Sequence, residues 1–463
     1  MGDAAETGAL EAIESGAARL RTLIALAWPI VVSRSSQVVV GIADAVMVAP
    51  LGAAALAATT TGAINAFALF ILPMGTVFIV ASFSSQLFGK GDLPGARRYG
   101  WYGIAIAAVT QLLAFATIPF VPTLLAQLQF APDLRAAMEG YLAIRLLSAG
   151  AVVGMEALGN YYGGLGDTRT QMRASVAAMF LNVFGNWLFI GGRLGMPALG
   201  VRGAALASTL ATTAAFAWML LLFARERGAR PGGRLRWREL RAVLRFGLPS
   251  GFNWFVEFAA FAFFVNVVVG GLGTTSLAAL MTVMQINSVA FMPAFALASA
   301  GAILVGQAIG ASRRDQVAGL VGLTFGVAAV WECLVALAYL TAPELVLAAF
   351  AQEPSSAAEF LAAGRRMLLM SAAWQLFDAA ASVLTEALRA AGDTTFTMWV
   401  RVVLGWAIWA PGSWISVRLL GAGDTVAVAW LVFYLFILAL ALLLRFRSGA
   451  WRRIELTSVE PVV

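Results

Sequence analysis

The chain has 463 residues, of which 61% are hydrophobic and only 12% charged. A soluble domain carries about 25% charged residues, so a water-soluble globular fold is excluded. The net charge of +7 does not point to nucleic acid because the arginines fall in short connectors, the single Cys333 rules out an internal disulfide or a cysteine metal cluster, and with no histidine any proton chemistry near neutral pH falls to carboxylates.

Residues 1–20 are acidic and lack the basic and apolar regions of a secretory signal, so they read as a short cytoplasmic tail, an amphipathic helix at most. Twelve apolar runs follow, at roughly 22–48, 56–86, 99–121, 136–160, 171–191, 199–223, 242–270, 276–308, 316–341, 362–388, 395–418 and 425–446. A helix of ~20 residues spans the hydrocarbon core, so each run is long enough to cross. The expected fold is an all-α polytopic membrane protein with twelve transmembrane helices. Of the 31 Lys and Arg, about 22 lie on one side of the predicted spans, which by the positive-inside rule places both termini in the cytoplasm. Arg34, Arg145 and Arg401 fall inside predicted spans.

The longest polar connector runs from 224 to 241 and divides the chain into two repeats. LGAAALAA at 51–58 matches LGTTSLAA at 272–279, and GDTRTQM at 166–172 matches GDTTFTM at 392–398. Pro29 answers Pro249, Pro73 answers Pro293, and the turn around Gln86 and Gly89 answers that around Gln307 and Gly310. All these pairs share an offset of about 220–226 residues, the mark of an internal repeat. The expected organisation is a tail (1–21), an N-lobe of six helices (22–223), the connector (224–241), a C-lobe of six helices (242–446) and a second tail (447–463). Six helices per half give the lobes one orientation, pseudo-symmetric about the membrane normal, with a central cleft. The four prolines are either permanent kinks or hinges.

Polar residues inside the spans are the candidate working parts. Glu257 and Asp378 each fall near mid-span, where a carboxylate costs roughly 2.5–3.5 kcal/mol and so faces a cavity, a partner or a proton. If they approach one another they cannot both ionise freely, and such a pair can hold a proton or a monovalent cation. Asn253, one turn before Glu257, is placed to orient it. Asp44 lies late in the first span, as a working acid or an interfacial residue. Asn182 and Asn186, spaced i,i+4, either face such an acid or join helices. Gln285 and Asn287 line the cleft or bond a neighbouring helix. Glu139, Glu156 and Glu332 are expected as partners of arginines. Phe252, Phe255, Phe258 and Phe261 pack, or line an adaptable binding wall. There is no GxxxxGK[ST] pattern, so ATP is not the expected energy source.

From about residue 20 to 446 the chain resembles the multidrug and toxic compound extrusion (MATE) transporters. The resemblance rests on the Pro29 helix ending in Asp44-Ala-Val-Met-Val, SSQLFGKGD at 84–92, GLGDTRTQM at 164–172 and GVRGAALAST at 200–209. In the second half it rests on Gly247-Leu-Pro249 with Glu257, Gln307-Ala-Ile-Gly310, and Asp378 with ALRAAGDT at 387–394. Having Asp44, Glu257 and Asp378 together is similar to the NorM-type branch.

The resemblance implies a non-enzymatic exporter of organic compounds, cationic or zwitterionic, in exchange for H⁺ or Na⁺. It implies no prosthetic cofactor, a bacterial-type inner membrane location, no nucleic-acid partner, and a monomer. Position by position, Glu257 and Asp378 match the C-lobe cation or proton site, which binds Na⁺ if sodium is the coupling ion. Asp44 matches the N-lobe acid, Asn182 and Asn186 the polar pair facing it, and Ser208 a usual hydroxyl. Trp374 departs from the phenol usual in Na⁺-coupled members, and an indole offers no oxygen ligand. Arg34 departs from an uncharged position; as a cleft residue beside Gln285, Phe255 and Phe258 it would favour zwitterionic or acidic substrates. The alternative is a lipid-linked oligosaccharide flippase of the same superfamily, which needs basic residues at its centre; pairing of Arg34, Arg145 and Arg401 with acids would close that reading.

Overall fold

A computed structural model of the chain describes residues 16–127, 130–226, 235–348 and 357–457, and every regular element among them is helical. The expected tails and connector lie partly outside these residues, at 1–15, 458–463 and 227–234. In chain order the long helices are α1 (Gly16–Leu51), α2 (Ala53–Gly89), α3 (Leu93–Ala126), α4 (Pro132–Leu146 and Ala149–Gly164), α5 (Thr168–Phe189) and α6 (Val201–Arg225). They continue with α7 (Trp237–Leu272), α8 (Thr274–Gly310), α9 (Arg314–Thr341), α10 (Ala358–Ala390), α11 (Thr394–Leu419) and α12 (Asp424–Arg447).

Ten of these are apolar and long enough to cross a membrane, and α4 makes eleven if its two pieces, bent by 47°, are one span. The twelfth is α5. Its 22 residues, at ~1.5 Å each, also reach across a bilayer core. Arg169, Gln171, Arg173, Asn182 and Asn186 lower its apolarity, and two of these turn out to be site residues.

Within the described residues the chain divides into two compact units, one of residues 29–252 and the other of residues 16–28 and 253–457. The divisions fall inside α1 and α7, at or just after Pro29 and Pro249, rather than in a loop. In the first unit α4 packs against α2, α3 and α6, and α5 lies along α6. Its core includes Ala66 and Phe70 of α2, Ala114 of α3, and Met138, Leu142 and Leu146 of α4. A break in a helix at membrane depth frees backbone groups that lipid cannot satisfy. At the α4 bend, side chains take them up: Gln111 donates to the Leu146 carbonyl (3.1 Å) and accepts from the Gly150 N–H (2.9 Å), and Thr209 donates to the Ile144 carbonyl (3.1 Å). In the second unit α10 packs against α8, α9 and α12. There α11 widens into π-helical turns at Leu404–Trp409 and Ile415–Leu419.

The repeat is visible in the backbone. Gly52 and Gly273, each just before a helix, have φ/ψ of 107°/168° and 110°/167°. Gly166 and Gly392, in the two GDT turns, have φ of 88° and 90°. At the end of α2 the Asp92 N–H donates to the Leu87 carbonyl (2.9 Å); at the end of α8 the Arg313 N–H donates to Ala308 (2.8 Å). The left-handed residue in these turns is Gly91 in the first repeat and Ser312 in the second.

Candidate functional site

Each unit buries acids. In the first, Asp44 on α1 is 7% exposed. Its carboxylate accepts hydrogen bonds from the amides of Asn182 (3.1 Å) and Asn186 (2.6 Å) on α5 and from the Ser208 hydroxyl (3.0 Å) on α6. The i,i+4 spacing puts both amides on one face of α5, so one helix supplies two donors to one acid. Asn186 also donates to Asn182 Oδ1 (3.2 Å), while its own Oδ1 is buried without a partner. All four expected residues are thus brought together, and the donors are neutral. Arg145 is within electrostatic reach of Asp44.

In the second unit Glu257 on α7 forms an ion pair with Arg401 on α11. Arg401 also donates to the Thr385 hydroxyl on α10 (3.3 Å). Asp378 on α10 lies within electrostatic reach of both Glu257 and Arg401. The phenol of Tyr434 on α12 stands beside Arg401, its ring stacked on Trp409 at 5.0 Å. Glu257 and Asp378 therefore share a region, as their sequence positions suggested, with a cation already at one of them. Trp374 itself is buried.

Several expectations are corrected. Among the described residues no hydrogen bond joins Asn253 to Glu257, and the Asn253 Oδ1 is buried and unpartnered. Arg34 is not a lone positive charge, because Glu156 on α4 takes its guanidinium with two bonds of 2.7 and 3.0 Å. Glu139 lies 3.9 Å from Arg135, so these two glutamates do meet arginines. Glu332 does not; it is 1% exposed, its Oε2 has no partner, and the charged side chain acting on it is Asp378. Asn287 bonds Gln375 across α8 and α10 at 2.6 Å. Gln285 is exposed, Phe255 is 41% exposed and Phe258 is half-buried. The sequence leaves open which acid Arg401 pairs with, and it does not single out Tyr434. An arginine in mid-span was the available signal, since it needs a counter-charge.

Acids held on polar contacts inside a repeated bundle of apolar helices define a polytopic membrane protein with carboxylates in its spans. The MatE family model matches residues 29–188 and 249–415, and the chain belongs to that family, the MATE transporters. It is 30% identical over 423 residues to a probable multidrug resistance protein NorM of Pseudomonas putida, covering 89% of this chain and 90% of the relative. It is 28% identical over 437 residues to a protein of the same description from Bradyrhizobium diazoefficiens, covering 92% and 93%. A solved structure of a multidrug resistance MATE family transporter in its outward-facing conformation superposes with a TM-score of 0.83 over 94% of this chain and 97% of that one; at 20% identity it speaks to the fold.

Proposed function

We propose that the protein is a secondary active antiporter that exports drug-like organic compounds, cationic or zwitterionic, in exchange for H⁺ or Na⁺. The observation that carries this reading is the set of acids within the spans, Glu257 and Asp378 in one unit and the buried Asp44 in the other, inside a fold shared with multidrug transporters. An exchanger needs each ligand to favour a state that the other weakens. Acids at membrane depth serve that end: a cation taken from outside neutralises them and lowers substrate affinity, and its release to the cytoplasm resets the site. In this reading the transporter sits in a bacterial-type inner membrane with both termini cytoplasmic and works as a monomer. The two expected polar groups, Asn182 and Asn186, orient the Asp44 carboxyl between cation-binding events.

The flippase reading loses support, because Arg34 and Arg401 are paired with acids and do not present free positive charge to a diphosphate. Proteoliposomes test the antiport. Efflux of ethidium or norfloxacin should follow an imposed ΔpH or an imposed Na⁺ gradient, and Glu257→Gln and Asp378→Asn should each reduce coupled efflux at least about tenfold. Full coupled efflux by both variants would sink the assignment, and movement of neither compound by the native protein would sink the substrate class.

A further inference from the structure

We propose that Glu332 is a cation-binding residue: with Asp378 it forms the site that takes a monovalent cation, a proton or Na⁺, while Arg401 is the resident counter-ion of Glu257. This deepens the antiport reading and rests on it for the cation's role in transport.

The charge inventory leads there. Three carboxylates, Glu257 on α7, Glu332 on α9 and Asp378 on α10, lie in one region, and among the described residues the guanidinium acting on them is Arg401, engaged by Glu257 and Thr385. Three negative charges less one positive leave two. Among the described residues the other groups that act on them are the phenols of Tyr434 on α12 and Tyr339 on α9, which carry no charge to offset this. An uncompensated ion at membrane depth is too costly to persist, so the excess is met by cations from outside the chain.

Glu332 is where such a cation has an unoccupied ligand. It lies within α9, whose helix runs Val317–Thr341, and is 1% exposed. Its Oε2 is buried with no hydrogen-bond partner, and Asp378 is the charged group that acts on it. Glu257 differs on both counts, being 40% exposed and already ion-paired. Two carboxylates within electrostatic reach on the packed helices α9 and α10, one with a buried unpartnered oxygen, are a place for a shared proton or a desolvated alkali ion. The sequence around Glu332, AAVWECLVAL, carries no motif, so its packing against α10 is what reveals it.

The test uses the purified full chain. Binding of ²²Na⁺ is measured by equilibrium dialysis, and proton uptake by the protonated-carboxyl band in acid-induced infrared difference spectra. We expect Glu332→Gln to lose the Na⁺ binding or the carboxyl band at least about tenfold, and Glu139→Gln, in the first unit beside Arg135, to retain it. A native-protein measurement runs alongside: dicyclohexylcarbodiimide labelling read by peptide mass spectrometry should find Glu332 or Asp378, with labelling that changes with pH (proton) or is blocked by Na⁺ (sodium). Cation binding unchanged in Glu332→Gln, or label at neither residue under any cation condition, overturns the proposal. The antiport reading fails separately: cation binding at Glu332 without efflux of either compound rejects the substrate class alone, and coupled efflux with native binding in Glu332→Gln rejects this site alone.

Discussion

At the scale of single residues, the buried ion pairs decide more than the exposed ones. Removing one partner of a buried pair strands a charge, which costs about 3–5 kcal/mol, whereas replacing both with apolar groups is often neutral. Arg34 and Glu156 have side-chain exposures of 14% and 5%. Arg34→Met should therefore lower the thermal midpoint in detergent markedly, and Arg34→Met with Glu156→Met should recover most of the loss. A midpoint that falls equally in both would mean that the pair itself stabilises the unit. The acids were legible in the sequence, because a carboxylate in an apolar run needs a reason. Their partners were legible only where one helix supplied them at i,i+4, as Asn182 and Asn186 do. Arg401 meets Glu257, and Glu332 meets Asp378, across helices whose mutual rotation no periodicity reports. That is why Glu332 was expected beside an arginine and lies beside an acid instead.

Among the helices, length and hydropathy located most spans, and α5 shows the limit of apolarity as a guide. Two of the groups that make it polar, Asn182 and Asn186, donate to Asp44, so part of what obscures its membrane character is the contact it makes with that acid. The repeat gave the turns as well, down to their backbone angles. It also exposes one mismatch: the left-handed position held by Gly91 in the first repeat is Ser312 in the second, with φ of 62°. An L-residue with a Cβ pays about 1–2 kcal/mol there, partly offset by glycine's greater freedom when unfolded. Ser312→Gly should raise stability by about 0.5–1 kcal/mol, seen as a higher melting midpoint without change in transport. A drop would show that the serine side chain makes a contact worth more than the strain. The bend in α4 was not foreseeable from its sequence, which reads as one continuous apolar run. The partners that permit it, Gln111 and Thr209, come from α3 and α6.

For the molecule as a whole, the twofold repeat was legible and its boundary was not located in the same place. The sequence puts the division in the arginine-rich connector, and the compact units divide inside α1 and α7. Residues 16–28 belong with 253–457, tied there in part by Arg19 donating to Gln316 (3.3 Å). Fragments 1–230 and 231–463 should accordingly yield monodisperse protein only when expressed together. A monodisperse N-terminal fragment alone would contradict this. The composition of the units also bears on how the chain is made. The ribosome delivers the first turns of α1 before any of their packing neighbours exist, and delivers the last segment of the first unit, residues 237–252, only after α6 is finished. The first unit is complete in the chain once residue 252 is made, whereas residues 16–28 wait for the last helices, so assembly of the second unit is a late event that depends on the far end of the message.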